Sequence, residues 1–224
     1  MYNNLNYIKN TLLSELKKLS IDIKEVINRR KITSVIHFTR VENLDAILTN
    51  GVIPRSSLQI GSFVFNDDIR ADGKLGYSSF SISFPNHLMF YRLRNKSTNS
   101  KWAILVFNAN VLSDFPCLFY PVNAASSTVS RLPLENFKGG KALEEMFTHA
   151  KDSRESFLLE EDPTDVQAEV MVPERVPMTY LKGCVLHDTN LVNDYSNKYP
   201  TIKFIHCHEG RRLFNTRRAF RSGF

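Results

Sequence analysis

The segment from Asp165 to Val172 constrains the fold more than any other part of this chain. Side chains alternate between the two faces of a β-strand, so one face of this segment carries Gln167 and Glu169 while the other is wholly apolar. Two interpretations follow. The segment is either an edge strand with solvated polar residues, or a rigid strand that holds Glu169 as a catalytic carboxylate while the preceding loop selects a substrate.

The chain has 224 residues, enough for one ample core, and 42% of them are hydrophobic. We therefore expect a single domain over residues 1–224, with a helical N-terminal extension at 1–30 and a basic tail at 208–224. No stretch approaches the roughly 20 apolar residues that span a bilayer. The N-terminus has no basic region followed by an apolar run. These patterns predict a cytoplasmic protein that does not associate with membranes.

The three cysteines, Cys117, Cys184 and Cys207, are odd in number and far apart. This spacing is not typical of a disulfide framework or of a zinc site. A possible ligand cluster at 206–208 is weakened because alternation sends Cys207 to the opposite face from its two histidine neighbours. We expect no bound metal.

The net charge is +6, which favours a polyanionic partner. Arginines are concentrated in the last fourteen residues, interleaved with phenylalanines: Arg211, Arg212, Arg217, Arg218, Arg221, Phe214, Phe220 and Phe224. Guanidinium groups beside aromatic rings suit a phosphate backbone with unstacked bases. The alternative is a solvated tail that contacts no ligand.

Hydrophobic periodicity predicts a mixed α+β domain with split antiparallel sheets. The expected helices cover residues 2–19, 20–28 (capped by Ser20), 41–50, 86–94 and 141–150, with a short one from 190. The expected strands cover residues 34–38, 75–84, 102–107, 117–120, 167–172, 180–187 and 203–207. Residues 152–164 are charged and aperiodic, which predicts a loop.

A second polar cluster lies at the end of the first predicted strand. His37 and Thr39 share one strand face and Phe38 takes the other. The chain then enters a predicted helix, whose free amides favour a ligand. A histidine and a hydroxyl there could bind a ribose diol, although a lone histidine is more often a satisfied structural residue. The chain has no GxGxxG or GxxxxGK[ST] motif, so a Rossmann or P-loop site is unsupported.

Three segments together resemble the DarT family, toxins that ADP-ribosylate DNA. Residues 37–51 (HFTRVENLDAILTNG) are similar to the family's opening NAD-binding motif, residues 83–91 (SFPNHLMFY) to its second block and residues 167–173 (QAEVMVP) to its catalytic block. They occur in the family's order. The resemblance implies an ADP-ribosyltransferase-like fold with an N-terminal helical appendage, NAD as co-substrate, and a cognate antitoxin that removes ADP-ribose from DNA.

The resemblance also implies residue roles. Glu169 would be the catalytic carboxylate and His37 would orient a ribose, assisted by Thr39. Phe84, Met89 and Tyr91 would form an apolar bed for nicotinamide. Further NAD contacts are expected from Phe38, Asn43 and Asn86. The acceptor DNA would meet the loop from Lys151 to Asp165, with contacts from Lys151, Arg154, Gln167 and Arg92.

One position departs from the family pattern. Many members have an arginine after the proline of the second block, where this chain has Asn86, and a neutral amide cannot replace a guanidinium. Arg92, Arg94 and Arg154 are candidate substitutes. The Ser-Phe-Pro-Asn pattern also resembles a branch that modifies guanine rather than thymine.

Two other functions remain open from the sequence. The same fold could transfer ADP-ribose to RNA or to protein, since Glu169 suits those acceptors equally. A non-catalytic nucleic-acid-binding module is also possible, but it would leave the His37 and Glu169 blocks unexplained.

Overall fold

A central β-sheet forms the framework in this computed structural model, which describes residues 21–58, 63–64, 73–96, 99–148, 154–209 and 212–223. The strands are β1 (Ser34–Arg40), β2 (Ser78–Ile82), β3 (Trp102–Asn108), β4 (Leu118–Tyr120), β5 (Glu169–Val172), β6 (Leu181–Leu186) and β7 (Phe204–His206). The seven strands lie in the order β4-β5-β2-β1-β3-β6-β7. All neighbouring pairs are antiparallel except β6 and β7, which are parallel.

Helices cover the sheet. They are α1 (Ile23–Arg29), α2 (Leu44–Asn50), α3 (His87–Lys96), α4 (Val111–Asp114), α5 (Gly139–Thr148), α6 (Thr189–Lys198) and α7 (Arg217–Ser222). Short 3-10 turns occur at Val41–Asn43, Arg55–Ser57, Leu134–Phe137 and Met178–Tyr180. The predicted helix at 2–19 lies outside the described residues. In those residues, no helix is long and apolar enough to cross a membrane.

The helices and strands that were predicted confirm the α+β class, with boundaries shifted by a few residues, whereas α4 and α7 were not predicted. β1 runs two residues beyond the predicted end at Phe38, because Thr39 and Arg40 continue to pair with Ala103 and Trp102 of β3. The helix expected to start from Ser20 instead begins at Ile23. Its N-cap is Asp22, whose side chain accepts a hydrogen bond from the Lys24 backbone N–H at 3.3 Å.

The sheet divides at β2. Ser81 and Ile82 pair with Ile36 and Val35 of β1. Residues 78–80 of the same strand pair instead with residues 170–172 of β5. β2 therefore joins β4 and β5 to the other strands, while β1 and β2 stop pairing after Ile36. This is the split predicted from the sequence, and it lies between the His37 and Glu169 motifs.

The main core lies on one face of the sheet and includes Val35, Phe80, Ile82, Val170 and Val172. α1 contributes Val26 and Ile27 to it, so this part of the predicted N-terminal extension packs into the domain. Smaller apolar clusters occupy the other face, one around Phe90 and Trp102 and one around Tyr120 and Met171.

Candidate active site

Glu169 is the first residue of β5, and only 8% of its surface is exposed. β5 lies between β4 and β2, so the interpretation of this segment as an edge strand is wrong. The expectation that Glu169 is exposed is also wrong. Its Oε2 atom accepts a hydrogen bond from the backbone N–H of Ala124 at 2.8 Å. A buried carboxylate needs such a partner, because burial removes its water.

His37 is half-buried on β1. Its Nδ1 atom donates a hydrogen bond to the carbonyl oxygen of Ser79 at 2.9 Å, and its ring lies 5.2 Å from that of Phe80. The bond crosses from β1 to β2 beyond the last paired residues of these strands. It holds the imidazole in the tautomer with a proton on Nδ1.

Strand register places the two polar residues on opposite faces of the sheet. Directly paired residues of antiparallel strands point to the same face, and Phe80 pairs with Val170. Val170, Phe80 and His37 therefore share one face, while Glu169 shares the other face with Ser81 and Ile36. A ligand that meets both His37 and Glu169 must lie where β1 and β2 separate.

Asn43 and Thr39 are buried and bound to each other. Asn43 Nδ2 donates to Thr39 Oγ1 at 3.2 Å. The same amide group brackets Val64, since Nδ2 donates to its carbonyl oxygen and Oδ1 accepts from its N–H, both at 2.7 Å. Asn43, predicted to contact NAD, thus holds the backbone of the connection between α2 and β2 beside Thr39.

A strained turn follows β2. Ser83 has a φ of 58°, a left-handed conformation that is uncommon for a residue other than glycine. Asn86, three residues later, is the helix cap of α3: its Oδ1 accepts from the Met89 N–H at 3.1 Å. Its own N–H donates to Ser81 Oγ at 3.2 Å. Asn86 is thus built into the backbone turn.

The predicted nicotinamide bed is not gathered on one surface. Phe84 is buried, with its ring 4.9 Å from the ring of Phe220. Met89 packs against the Phe90 cluster, whereas Tyr91 is 62% exposed. Phe38 stacks on Phe90 at 4.8 Å, as expected for the core-facing residue of its motif.

The candidate substitutes for the family arginine have different environments. Arg92 is exposed on α3. Arg94 donates to the carbonyl oxygen of Phe214 at 2.9 Å and lies over the Phe90 and Phe214 rings. Arg154 donates to the carbonyl oxygen of Leu159 and to Thr164 Oγ1. Of the three, Arg92 has its side chain turned to solvent.

The second half of the predicted acceptor loop is firmly held. The Thr164 N–H donates to the Met146 carbonyl oxygen at 2.9 Å and its Oγ1 to the Phe147 carbonyl oxygen at 2.6 Å, which anchors the loop to the end of α5. Gln167 is half-buried, and its N–H donates to Asp165 Oδ1 at 2.7 Å. Lys151 lies outside the described residues.

The basic tail is not a uniform phosphate-binding surface. Arg217 is buried and donates to the Pro163 and Thr164 carbonyl oxygens at 2.7 and 3.1 Å. Arg221 pairs with Glu161 and Asp162. These two arginines hold the acceptor loop, so the expectation that they contact phosphates is wrong. Arg212 and Arg218 remain exposed, and Arg211 lies outside the described residues.

The described residues offer neither a reactive thiol nor a metal-binding cluster. Cys117, Cys184 and Cys207 are buried free thiols, and burial raises the pKa of Cys117 to about 12. Across the described parts of the chain, no three histidine, cysteine or acidic side chains converge on a possible metal position.

Sequence reasoning missed the residues that support the site. Ala124 acts through its backbone N–H, which no side-chain pattern reveals. Asp162 appeared as one acid among several in a charged loop, yet it is fully buried. The Asp-Pro-Thr run at 162–164, between charged residues and a strand, was the available signal for a turn.

Comparison with known proteins identifies the family to which this chain belongs. Residues 36–206 match the sequence model of a family described as ssDNA thymidine ADP-ribosyltransferase, DarT. No curated protein matches the chain in sequence.

Solved structures of low sequence identity share the fold. DarTG from Thermosipho africanus in complex with ADP-ribose is 17% identical, with a TM-score of 0.59 over 81% of this chain; the match spans 51% of that chain. Thermus sp. 2.9 DarT in complex with NAD+ is 15% identical, with a TM-score of 0.52 over 79% of this chain and 96% of the other. The complex of the Thermus protein with ADP-ribosylated ssDNA has a TM-score of 0.50 at 15% identity, over 77% of this chain and 91% of that one.

These matches confirm the predicted ADP-ribosyltransferase fold and place NAD and single-stranded DNA as ligands of proteins that share it. The family match covers the His37 motif and the Glu169 strand within one segment. The chain belongs to the DarT family of NAD-dependent ADP-ribosyltransferases that act on single-stranded DNA.

Proposed function

We propose that this chain transfers ADP-ribose from NAD to a base of single-stranded DNA, with Glu169 as the catalytic carboxylate. The observation that carries the proposal is the buried carboxylate at the start of β5, held by the Ala124 N–H beside the split in the sheet. A structural acid would gain little from this position, because burial of a carboxylate is unfavourable without a compensating role.

The chemistry follows from where the carboxylate is held. The bond between the ribose anomeric carbon and nicotinamide breaks, and nicotinamide leaves with the bonding electron pair. Positive charge then develops on the ribose. Glu169 accepts a hydrogen bond from the ribose 2′-hydroxyl, which stabilises that charge in the transition state. A base nitrogen of the DNA bonds to the same carbon and loses its proton, and we assign Glu169 as the acceptor of that proton.

In this proposal, the residues around His37 bind NAD and take no part in breaking its bond to nicotinamide. With Nδ1 bound to Ser79, the imidazole is oriented at the end of the paired part of β1. We assign it to a ribose of NAD, with Thr39 and Asn43 shaping the adjacent backbone. Phe38, Phe84, Asn86, Met89 and Tyr91 remain proposed NAD contacts; of these, Tyr91 is exposed and Phe84 lies beneath Phe220.

A base nitrogen is accessible only when it is unpaired, which is why single-stranded DNA is the proposed acceptor. The family description names thymidine, whereas Asn86 departs from the arginine of many members. The experiment incubates the protein with NAD and four single-stranded oligonucleotides, each with one type of target base. Mass spectrometry of the products identifies the modified base. RNA of the same sequences and a protein mixture test the two other acceptors.

The result expected is an added ADP-ribose on one DNA base, absent with Glu169→Gln. Modification of RNA or protein in place of DNA would overturn the choice of acceptor. If the protein consumes no NAD under any of these conditions, the result would favour a non-catalytic nucleic-acid-binding module over a transferase.

The biological role follows as part of the same proposal. We place the reaction in the cytoplasm, as the activity of a toxin whose cognate antitoxin removes ADP-ribose from DNA. Induced expression should arrest growth, and the Glu169→Gln variant should not. Growth arrest by both the wild-type protein and the Glu169→Gln variant would argue that DNA modification is not the cause of the arrest.

A further inference from the structure

Asp162 is the centre of a buried junction between three parts of the chain. It is fully buried, at 0% exposure. Arg221 of α7 binds it with two parallel hydrogen bonds, Nε to Oδ2 at 2.9 Å and a terminal guanidinium nitrogen to Oδ1 at 2.6 Å. Ser83 Oγ donates to Oδ1 at 2.8 Å, and the Leu159 N–H donates to Oδ2 at 2.9 Å.

The three parts are the acceptor loop, the turn after β2 and the C-terminal helix. Four donors satisfy both carboxylate oxygens, and a bidentate arginine pair adds directional specificity. Ser83 is the residue with the left-handed φ, so its strained turn is tied to the loop by its own side chain.

α7 reinforces the junction at two more points. Arg217 binds the carbonyl oxygens of Pro163 and Thr164, the two residues after Asp162. Phe220 packs on Phe84, the residue after Ser83. One face of α7 therefore contacts both the loop that precedes Glu169 and the second family motif.

The loop residues near this junction divide into held and exposed sets. Residues 161–165 and the backbone of Leu159 are anchored by hydrogen bonds, while Glu155, Ser156 and Glu160 are exposed. An acceptor can reach the exposed set, whose position depends on the anchors behind it.

We propose that Asp162, Arg221 and Ser83 are positioning residues that set the acceptor loop against the turn after β2, so that α7 controls DNA transfer without touching NAD. The proposal rests on the function proposed above. Its consequence is a separation of effects: loss of the junction releases the acceptor loop, while the turn after β2, which carries the proposed NAD contacts Phe84 and Asn86, keeps its own hydrogen bonds to Ser34 and Ser81. Misplacement by about 1 Å can lower a rate on the order of a hundredfold.

The experiment compares Arg221→Lys and Arg221→Ala with Lys203→Ala. Lysine keeps the charge but cannot make the two parallel bonds. Lys203 is exposed before β7, at the far end of the sheet, and its loss removes one positive charge. For each variant we would measure kcat and KM for single-stranded DNA, NAD affinity by calorimetry, and NAD hydrolysis without DNA.

Both Arg221 variants should have kcat/KM for DNA lower by roughly ten- to a hundredfold, with NAD affinity and hydrolysis as in the wild type. Lys203→Ala should behave as the wild type in every measurement. Wild-type transfer by Arg221→Lys, or loss of NAD affinity in parallel with DNA transfer, would overturn the proposal. Absence of any DNA transfer by the wild type would instead contradict the proposed function.

Salt dependence separates positioning from phosphate binding. If Arg221 contacted a phosphate, its removal would flatten the plot of log K for DNA against log salt by about 0.7. Positioning predicts an unchanged slope with weaker binding at every salt concentration. Ser83→Ala provides a second variant that removes no charge, and it should produce the same loss of DNA transfer with the same slope. A flattened slope for Arg221→Ala with normal transfer by Ser83→Ala would refute the junction.

Discussion

The backbone N–H of Ala124 donates a hydrogen bond to the Oε2 atom of Glu169 at 2.8 Å, and both residues are buried. The segment around Ala124 lies between β4 and α5, some 45 residues before Glu169 in the chain. The catalytic candidate is therefore oriented by a distant loop as well as by its own strand, and the consequences of substituting it differ from those of an exposed acid.

Glu169→Gln should lower ADP-ribosyl transfer by about 10²–10⁴-fold and leave the fold intact. Glutamine keeps an oxygen that can accept the Ala124 N–H but carries no charge. Mass spectrometry of modified DNA measures the rate, and Glu174→Gln at an exposed position just after β5 is the matched control. Transfer near the wild-type rate would remove Glu169 from the mechanism.

Glu169→Ala should also lose stability, because it leaves the buried Ala124 N–H without its acceptor. The expected cost is about 1–3 kcal/mol in the free energy of unfolding. Urea denaturation of the alanine and glutamine variants side by side measures this difference. Equal stability of the two variants would mean that water replaces the carboxylate.

His37→Ala should weaken NAD binding by several-fold to about tenfold, since one neutral hydrogen bond contributes about 0.5–1.5 kcal/mol. Calorimetric titration with NAD measures the affinity. His208→Ala, at an exposed histidine, should have no effect. An unchanged NAD affinity in the His37 variant would return this residue to a purely structural role through its Ser79 bond.

Stability should fall as the pH drops below about 6.5. Burial lowers the pKa of His87, and the nearby Arg217 guanidinium lowers it further. The unfolded state, with the ordinary pKa of 6.5, then binds a proton before the folded state does. The stability is therefore present above pH 6.5 and is lost as pH falls through the lower folded pKa. Urea titrations between pH 7.5 and 5 measure the loss, which should be smaller in His87→Gln.

Gly51→Ala should be destabilising by about 1 kcal/mol or more. Gly51 has a φ of 88°, and a Cβ atom there would lie 2.5 Å from the Val176 carbonyl oxygen. Gly73 has a φ of 65°, and no atom of the described part of the chain lies within 4 Å of a Cβ built there, so its change to alanine isolates the backbone cost. The Gly51 variant should lose more stability than the Gly73 variant; an equal loss would show that the close contact relaxes.

The elements that the sequence predicted well are those whose hydrophobic pattern decides them locally. β3 is buried along nearly its whole length, and its continuous apolar run was visible directly. For the strand that carries Glu169, the hydrophobic pattern does not decide the position in the sheet, because the same alternation fits an edge strand or an interior strand. The structure shows an interior strand, since Tyr120 of β4 pairs with Glu169. Strand order is a long-range property, so periodicity within one segment does not contain it.

The arginines of the tail show a second limit. Arginine beside phenylalanine predicted a surface for DNA, because both side chains suit phosphates and bases. The carboxylates that Arg221 binds lie about 60 residues earlier in the chain, and their proximity arises from folding. The exposed Arg212 and Arg218 retain the original expectation.

Strand β2 lies between β1, which carries His37, and β5, which carries Glu169. The number of residues in β2 therefore fixes how these two parts of the site are spaced. His37 bonds to Ser79, and Glu169 lies on the face of Ser81, two residues further along the strand. A strand rises about 3.3 Å per residue, so Ser79 and Ser81 lie about 7 Å apart along β2. An inserted or deleted residue within Ser79–Ser81 would exchange the faces of everything beyond it. We expect length variation among relatives to be excluded from this strand, even where flanking loops differ freely in length.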